Sequence, residues 1–189
     1  YATQEDSPLN IAAPGVLGND SDPDGSPITA QLVSGPTRGT LVLNANGSFS
    51  YTPNANVNGS DSFTYNAFDG QVASLTPATV TVAITAVNDV PVFTAGNSQT
   101  VLEDVGAQIV SPWASGLDDG DPEVTQNLSF EITANSNAAL FSVAPTVSST
   151  GALSYTPAAN ANGSATITLR LNDDGGTANG GINQSATQA

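Results

Sequence analysis

The chain has 189 residues, and its charge is sparse but one-sided, with 17 aspartates and glutamates against two arginines and no lysine, for a net charge of −15. Because it also lacks cysteine and histidine, it can form no disulfide, thiolate nucleophile, histidine-based catalytic triad or histidine metal site. So few bases exclude nucleic acid as a partner, and no stretch resembles a transmembrane span or a signal peptide.

Short strands separated by turns are predicted along the first half of the chain. Apolar and polar residues alternate there with the period of half-buried strands. The predicted strands cover 9–12, 28–33, 40–43, 48–52 and 79–85, and a further strand starts near Phe63 and Tyr65. Asn46-Gly47 is typical of a type I′ hairpin turn. Since no stretch has helical periodicity, we expect an all-β fold.

The same order of motifs recurs in the second half. Ser50-Tyr51-Thr52-Pro53 matches Ser154-Tyr155-Thr156-Pro157, displaced by 104 positions, and Glu5-Asp6 is echoed by Glu103-Asp104. An internal repeat of this length is typical of a modular array. We therefore predict two tandem β-sandwiches, covering 1–89 and 90–189.

The second sandwich is predicted to lack its final strand. Its polar tail, Ile182 to Ala189, has no equivalent of Val80, Val82 and Ile84. Such a domain exposes a sheet edge and an apolar groove. Because the chain also starts at Tyr1 without methionine, we interpret it as an excerpt. The missing strand then either follows the given chain, which we favour, or comes from a neighbour.

Two turns place carboxylates on alternate residues. One contains Asp20, Asp22 and Asp24, and the other contains Asp119, Asp121 and Glu123. Calcium prefers carboxylate, amide and carbonyl oxygens in tolerant geometry, although Asp, Gly and Pro also cluster in turns without any metal. Like charges gathered in one place repel unless they are neutralised. With only two arginines in the chain, a divalent cation is the simplest way to neutralise them.

The stretch Ala86-Val87-Asn88-Asp89-Val90-Pro91 lies between the two repeats and is rich in oxygen. Pro91 favours an extended conformation for Val90, so the sequence predicts a stiff joint. This stretch, with the strand before it, resembles the end of a cadherin repeat and its calcium-binding linker. Ala67-Phe68-Asp69 and Asp22-Pro23-Asp24 resemble the Ala-x-Asp and Asp-x-Asp motifs of that family. The whole layout is similar to the cadherin-like or VCBS-type tandem repeats of large bacterial surface adhesins. This resemblance implies that the two sandwiches are cadherin-like, of Ig-like Greek-key type.

The resemblance implies a set of calcium ligands. At the joint these would be Glu5, Asp61, Asn88, Asp89, Asp119, Asp121 and Asp173, and a further set facing a preceding repeat would be Asp22, Asp24 and Asp69. The chain departs from animal cadherins at Ala86 and Val90, where that family has oxygen donors. We therefore expect fewer than three ions at the joint.

The function expected from this resemblance is a non-catalytic, extracellular, calcium-stiffened spacer of a bacterial cell-surface or secreted protein. Its partners would be calcium, neighbouring repeats of the same polypeptide, and a host or matrix glycan or protein. Glycoside hydrolysis by paired carboxylates is a rival interpretation, but these carboxylates lie in turns. The alternative we keep is a carbohydrate-binding module that uses Trp113, the only tryptophan, as a platform.

Overall fold

The computed structural model describes residues 1–122 and 124–189. They form two compact units, Tyr1–Val87 and Asn88–Ala189. Within the described residues the helical segments are three short 3₁₀ turns, Gly15–Asn19, Ala138–Leu140 and Ala178–Gly180. None of these described helical segments has the length and apolar character needed to cross a membrane. The expectation of an all-β fold with two sandwich units is confirmed.

The first unit is built from seven strands in two sheets. The strands are β1 (Ala2–Gln4), β2 (Leu9–Ile11), β3 (Thr29–Ser34), β4 (Gly39–Leu43), β5 (Phe49–Pro53), β6 (Gly59–Phe68) and β7 (Ala78–Thr85). One sheet has the order β1-β7-β6-β3 and the other β2-β5-β4. β1 runs parallel to β7, whereas the other pairs are antiparallel.

Alternation along the strands builds the core of the first unit. Phe49 and Tyr51 of β5 face inward, and the ring of Phe49 meets that of Phe63 edge-on at 5.4 Å. Val80, Val82 and Ile84 of β7 are buried while the residues between them are exposed. The half-buried alternation predicted for these strands is therefore confirmed.

The described residues of the second unit also form seven strands. They are β8 (Val92–Thr94), β9 (Gln108–Val110), β10 (Ser115–Asp118), β11 (Ser129–Asn135), β12 (Phe141–Val147), β13 (Leu153–Pro157) and β14 (Ile167–Asn172). They pair as β11-β14, β12-β13-β9 and β10-β8. The core of the second unit includes Phe93 of β8, Tyr155 of β13, and Leu169 and Leu171 of β14.

Turn geometry supports the internal repeat. Gly47 and Gly151 both have a φ of +82°, a backbone conformation that glycine adopts without strain. Asp6 accepts a hydrogen bond from the Asn56 N–H, and Asp104 accepts one from the Asn160 N–H. The matched sequence motifs thus correspond to matched local structure.

The tail of the second unit lies beside β14. Leu169 exchanges two backbone hydrogen bonds of 2.9 Å with Gln188, and the Ser185 N–H donates to the Leu171 carbonyl at 2.9 Å. Gln188 also bonds through its side chain to Phe93 and Ala95. The sequence predicts that this tail leaves the edge of the sheet open. The structure instead places the backbone of the tail along part of that edge. The described tail forms no continuous strand, because its pairing with β14 is irregular.

Candidate metal centre

Asn88, the first residue of the second unit, is held by the loop that follows β14. The Ile182 N–H donates to the Asn88 carbonyl at 2.9 Å. The Asn88 side-chain amide donates to Asp173 Oδ1 and to the Ile182 carbonyl, both at 3.0 Å. A Cβ on Gly181 would lie 2.9 Å from the Cβ of Asn88, so this close approach requires glycine.

Gln126 connects Asn88 to the aspartates of the second acidic turn. Its backbone N–H donates to Asp119 Oδ2 at 2.7 Å. Its side-chain amide donates to Asn88 Oδ1 at 2.6 Å and to Asp121 Oδ2 at 3.1 Å. Asn88, Asp119, Asp121 and Asp173 are therefore brought together, with Gln126 among them; we call these five residues the oxygen cluster.

Two buried oxygens of the oxygen cluster lack a hydrogen-bond donor among the described residues. They are Asp173 Oδ2 and Gln126 Oε1, and Asp173 is only 7% exposed. A buried carboxylate oxygen without a donor is costly unless a cation or water satisfies it. A Cβ on Gly175 would overlap both Asn88 Oδ1 and Gln126 Oε1, so oxygens crowd around this glycine. Carboxylate and amide oxygens are the donors that calcium takes, and the cluster fits that ion.

Acidic side chains alone do not complete the site. Across residues 1–122 and 124–189, no three aspartates or glutamates come together in a group that could hold a metal. Glu123, predicted from its alternation with Asp119 and Asp121, lies outside the described residues. A calcium site in the described part of the chain would therefore use amide or backbone carbonyl oxygens in addition to carboxylates, and the amide oxygens of Asn88 and Gln126 lie in the cluster.

Asp89 lies against the second acidic turn. Gly120, between Asp119 and Asp121, has a φ of +84°, and a Cβ there would come within 2.6 Å of the Val90 carbonyl and 3.2 Å of the Asp89 Cβ. The backbone at 89–90 is thus packed directly on this turn. Glycine is required at position 120 for both its φ and this contact.

Glu5 is buried at the end of β7 in the first unit. Its backbone N–H donates to the Thr85 carbonyl at 3.0 Å, and its carboxylate accepts a short hydrogen bond from the Val87 N–H. Glu5 is therefore hydrogen-bonded to Thr85 and Val87, the residues at the end of the first unit that immediately precede Asn88 in the sequence.

Asp61 is fully hydrogen-bonded inside the first unit. Its Oδ1 accepts from the N–H groups of Thr37 and Ser62, and its Oδ2 accepts from the Arg38 N–H and the Tyr51 hydroxyl at 2.9 Å each. Burial raises the pKa of Asp61, but the hydrogen bonds together outweigh it and hold the pKa below its usual value. Burial and the bond to Asp61 raise the pKa of Tyr51 above the ordinary range. The four acceptor positions of a carboxylate are thus occupied.

The further predicted set, Asp22, Asp24 and Asp69, lies in turns of the first unit. Asp22 Oδ1 accepts from the Asp24 and Ser26 N–H groups, both at 3.0 Å. Asp69 Oδ1 accepts from the N–H groups of Val72 and Gln71, and these bonds lower the pKa of Asp69. Asp24 is exposed. These contacts are typical of Asx turns, which form without a metal.

Trp113, the platform of the carbohydrate-binding alternative, is half-buried against the second core. Its indole N–H donates to the Asn97 carbonyl at 3.1 Å. A Cβ on Gly96 would collide with the Trp113 carbonyl, so the 96–97 segment packs against Trp113. These contacts give Trp113 a packing role.

Families of bacterial repeat domains match both units. Residues 1–86 match the family described as "Bacterial cadherin-like domain", and residues 88–184, more than half of the chain, match "Bacterial Ig domain". The chain belongs to the bacterial Ig domain family, and its first unit matches the bacterial cadherin-like family. The resemblance to bacterial cadherin-like repeats that the sequence indicates is thus confirmed. A search of curated proteins found no match.

Solved structures with the same fold are cadherin ectodomains. Human protocadherin-24 EC1-2 (Form II) is 17% identical with a TM-score of 0.57, covering 89% of this chain and 80% of that one. Drosophila N-cadherin EC1-4 is 13% identical with a TM-score of 0.59, covering 99% of this chain and 46% of that one. Identities this low establish a shared fold.

The two families carry general properties. Cadherin-like domains generally bind calcium, interact with neighbouring repeats and are non-enzymatic. Bacterial cadherin-like and Ig domains are typically extracellular. This bacterial cadherin-like and Ig chain therefore belongs among adhesion or spacer modules.

Gln126 is the member of the oxygen cluster that sequence reasoning missed. It stands in the polar run 125–127 and belongs to no recurring acidic motif. The Asp-x-Asp pattern directs attention to carboxylates, whereas Gln126 is brought in by the path of the chain between Asp121 and β11.

Proposed function

We propose that this bacterial cadherin-like and Ig chain is a non-catalytic, extracellular spacer that calcium stiffens at the linker between its two domains. The observation that carries the proposal is the pair of buried oxygens, Asp173 Oδ2 and Gln126 Oε1, that have no donor within the described chain. They belong to a cluster that also includes Asn88, a residue of the linker. A bound divalent cation supplies positive charge to those oxygens.

The residues that would hold the ion come from three segments of the second unit. Asn88 and Asp89 belong to the linker, Asp119 and Asp121 to the turn after β10, and Asp173 to the loop after β14, with Gln126 as an amide ligand. Glu5, which binds the Val87 N–H, is proposed as the contribution of the first unit. We propose a structural role for Asp61, because a cation would have to displace its hydrogen bonds.

Electrostatics favour a cation over an arginine or lysine partner. The chain has two bases; the Arg170 side chain pairs with Glu131 at 2.8 Å, and the Arg38 guanidinium donates to the Asn58 carbonyl at 2.7 Å. Both arginine side chains are thus bonded outside the oxygen cluster, and the like charges of its carboxylates repel one another. A divalent ion removes that repulsion and stabilises the folded linker by mass action.

The proposed role is mechanical. The oxygen cluster holds Asn88 against the loops of the second unit, and Glu5 holds Val87 at the end of the first. A linker that is bonded on both sides of the Val87–Asn88 peptide bond would transmit force between repeats with little change in the angle between them. Asp22, Asp24 and Asp69 are proposed to serve a similar joint with a preceding repeat. The partners are then calcium and neighbouring repeats, with a host or matrix glycan or protein as the target of the larger protein.

Calorimetric titration of the chain with calcium tests this proposal. We expect saturable binding, and Asp173→Asn should weaken it by about tenfold or more, since one carboxylate ligand loses its charge. The matched control is Asp174→Asn, which removes the same charge at the residue next to Asp173. The Asp174 carboxylate accepts hydrogen bonds from Asn127 and is not a member of the oxygen cluster. Equal weakening by both variants, or no binding by the wild type, would contradict the proposed site.

A further inference from the structure

Among the edge strands of the two sheets in the first unit, β4 is the one that is both long and regular. β1 and β2 have three residues each, and β3 has a register shift between Leu32 and Ser34 where it pairs with β6. Short strands and bulges are two ways in which proteins prevent an edge from pairing with another chain. β4 has five residues in an unbroken register from Gly39 to Leu43, so it has neither protection.

The second unit protects the equivalent edge. Its edge strand β12 has register shifts at two places in its pairing with β13. The repeat displacement of 104 positions also places Pro145 of β12 where Leu41 stands in β4. Proline has no backbone N–H to donate to a further strand. The regular, unprotected edge is therefore specific to the first unit.

The backbone of β4 offers hydrogen-bonding groups at this edge. The Asn44 N–H, directly after β4, donates to the Ser48 carbonyl at 2.9 Å. Because backbone groups of alternate residues in an antiparallel strand point to the same neighbour, the even-numbered residues of β4 pair with β5. The N–H and carbonyl groups of the odd-numbered residues point away from β5, and no strand of the described chain pairs with them. These outward residues are Gly39, Leu41 and Leu43.

The side chains around this edge are apolar or uncharged. Val42 of β4 is 60% exposed, and Leu32 and Val33 of β3, which contacts β4, are about half exposed. Neither strand contains a charged residue, although the whole chain has a net charge of −15. Two copies of so acidic a chain repel each other wherever their carboxylates meet. An uncharged edge is therefore a surface at which two copies can approach.

We propose that β4 pairs with β4 of a second copy of this chain, antiparallel and across a two-fold axis at Leu41. In this register Thr40 is opposite Val42 of the other copy, and such β-branched residues fit the pleated surface of a sheet. Arg38, which precedes the strand, is opposite Asn44 and not opposite the second arginine. The strand is thus its own complement, and pairing joins two three-stranded sheets into one. Spacers would then associate side by side, independently of calcium.

Sedimentation of the whole chain, with chelator present so that no metal contributes, tests this pairing. We expect a reversible monomer–dimer equilibrium at loading concentrations from about 10 µM to about 1 mM, because one pair of edge strands buries less than the roughly 1,200–2,000 Å² of a standard interface. Hydrogen exchange at the Leu41 and Leu43 amides should slow about twofold or more over this range, whereas the Val42 amide, which faces β5, should be unchanged. No dimer, association beyond the dimer, or no protection at these two amides would overturn the proposal.

Two double variants test the register of the pairing. Thr40→Lys/Val42→Lys places like charges directly opposite each other in the dimer and should weaken it about tenfold or more. This loss is expected although the variant has a smaller net negative charge, which by itself favours association. Thr40→Lys/Val42→Glu places opposite charges at the same positions and should dimerise at least as well as the wild type.

The matched control is Thr79→Lys/Thr81→Lys, which adds the same two positive charges at exposed residues of β7, a strand inside its sheet. It should dimerise at least as well as the wild type. Equal weakening by the two lysine variants, or a lysine–glutamate variant as weak as the lysine variant of β4, would overturn the proposal. If the β4 variants fail to fold, the concentration dependence of hydrogen exchange in the wild type decides.

Discussion

The carboxylate of Asp61 shows how this fold stabilises a buried charge with its own donors. Asp61 is 6% exposed and accepts hydrogen bonds from three backbone N–H groups and the Tyr51 hydroxyl. We expect Asp61→Asn to lower the free energy of unfolding of the first unit by about 2–4 kcal/mol. The asparagine side chain would place an NH₂ group, a hydrogen-bond donor, against the N–H and O–H donors that now bond to the carboxylate. Chemical denaturation measures the loss. The exposed Asp24→Asn serves as the control, and an equal loss there would contradict this role.

The stability contribution of Asp61 also depends on pH in a defined direction. Its folded pKa lies below the unfolded value of about 3.8, so its stabilisation is present above that pH and is lost as the pH falls through the folded pKa. Thermal unfolding from pH 7 to pH 2 should therefore show the wild type and Asp61→Asn converging in acid. A constant difference in Tm across that range would show that the charge is not responsible.

Residues of the oxygen cluster differ in how far the sequence predicted them. Asp119 and Asp121 belong to an alternating acidic turn, and Asn88 belongs to a motif that resembles a calcium-binding linker. Gln126 could not be predicted, because a single glutamine in a polar run carries no periodicity or motif. Its place depends on two tertiary contacts, to Asn88 and to Asp121.

Among the secondary-structure elements, the strands with apolar alternation were the easiest to predict. β5 and β7 follow their alternating pattern with buried residues at every second position. The pairing of the tail with β14 could not be predicted in the same way. Ser185 and Gln188 join the sheet through backbone and side-chain hydrogen bonds, which leave no apolar pattern in the sequence.

The loop after β14 shapes the oxygen cluster through Gly175. A Cβ at this position would overlap Asn88 Oδ1 and Gln126 Oε1. We expect Gly175→Ala to force these oxygens apart and to weaken calcium binding by about tenfold or more. Gly106→Ala is the matched control, since a Cβ there meets nothing within 4 Å. Calorimetry on both variants would refute the role of the loop if their calcium affinities were equal.

For the two domains together, calcium is proposed to reduce the flexibility of the linker. If calcium clamps the linker, small-angle scattering should show a narrower distribution of maximum dimensions with calcium than with chelator. We expect Asp89→Ala to keep both sandwiches folded by circular dichroism and to lose this response, since the linker then lacks one carboxylate. An unchanged calcium response in Asp89→Ala would remove Asp89 from the mechanism.

Calcium at the oxygen cluster is the central claim, and a crystal structure grown in millimolar calcium tests it most directly. We predict a strong density peak at about 2.3–2.6 Å from Asp173 Oδ2 and from the amide oxygens of Asn88 and Gln126, the distance range of calcium–oxygen bonds. A well-ordered cluster that contains only water, or amide groups that keep their present hydrogen bonds in saturating calcium, would contradict the account.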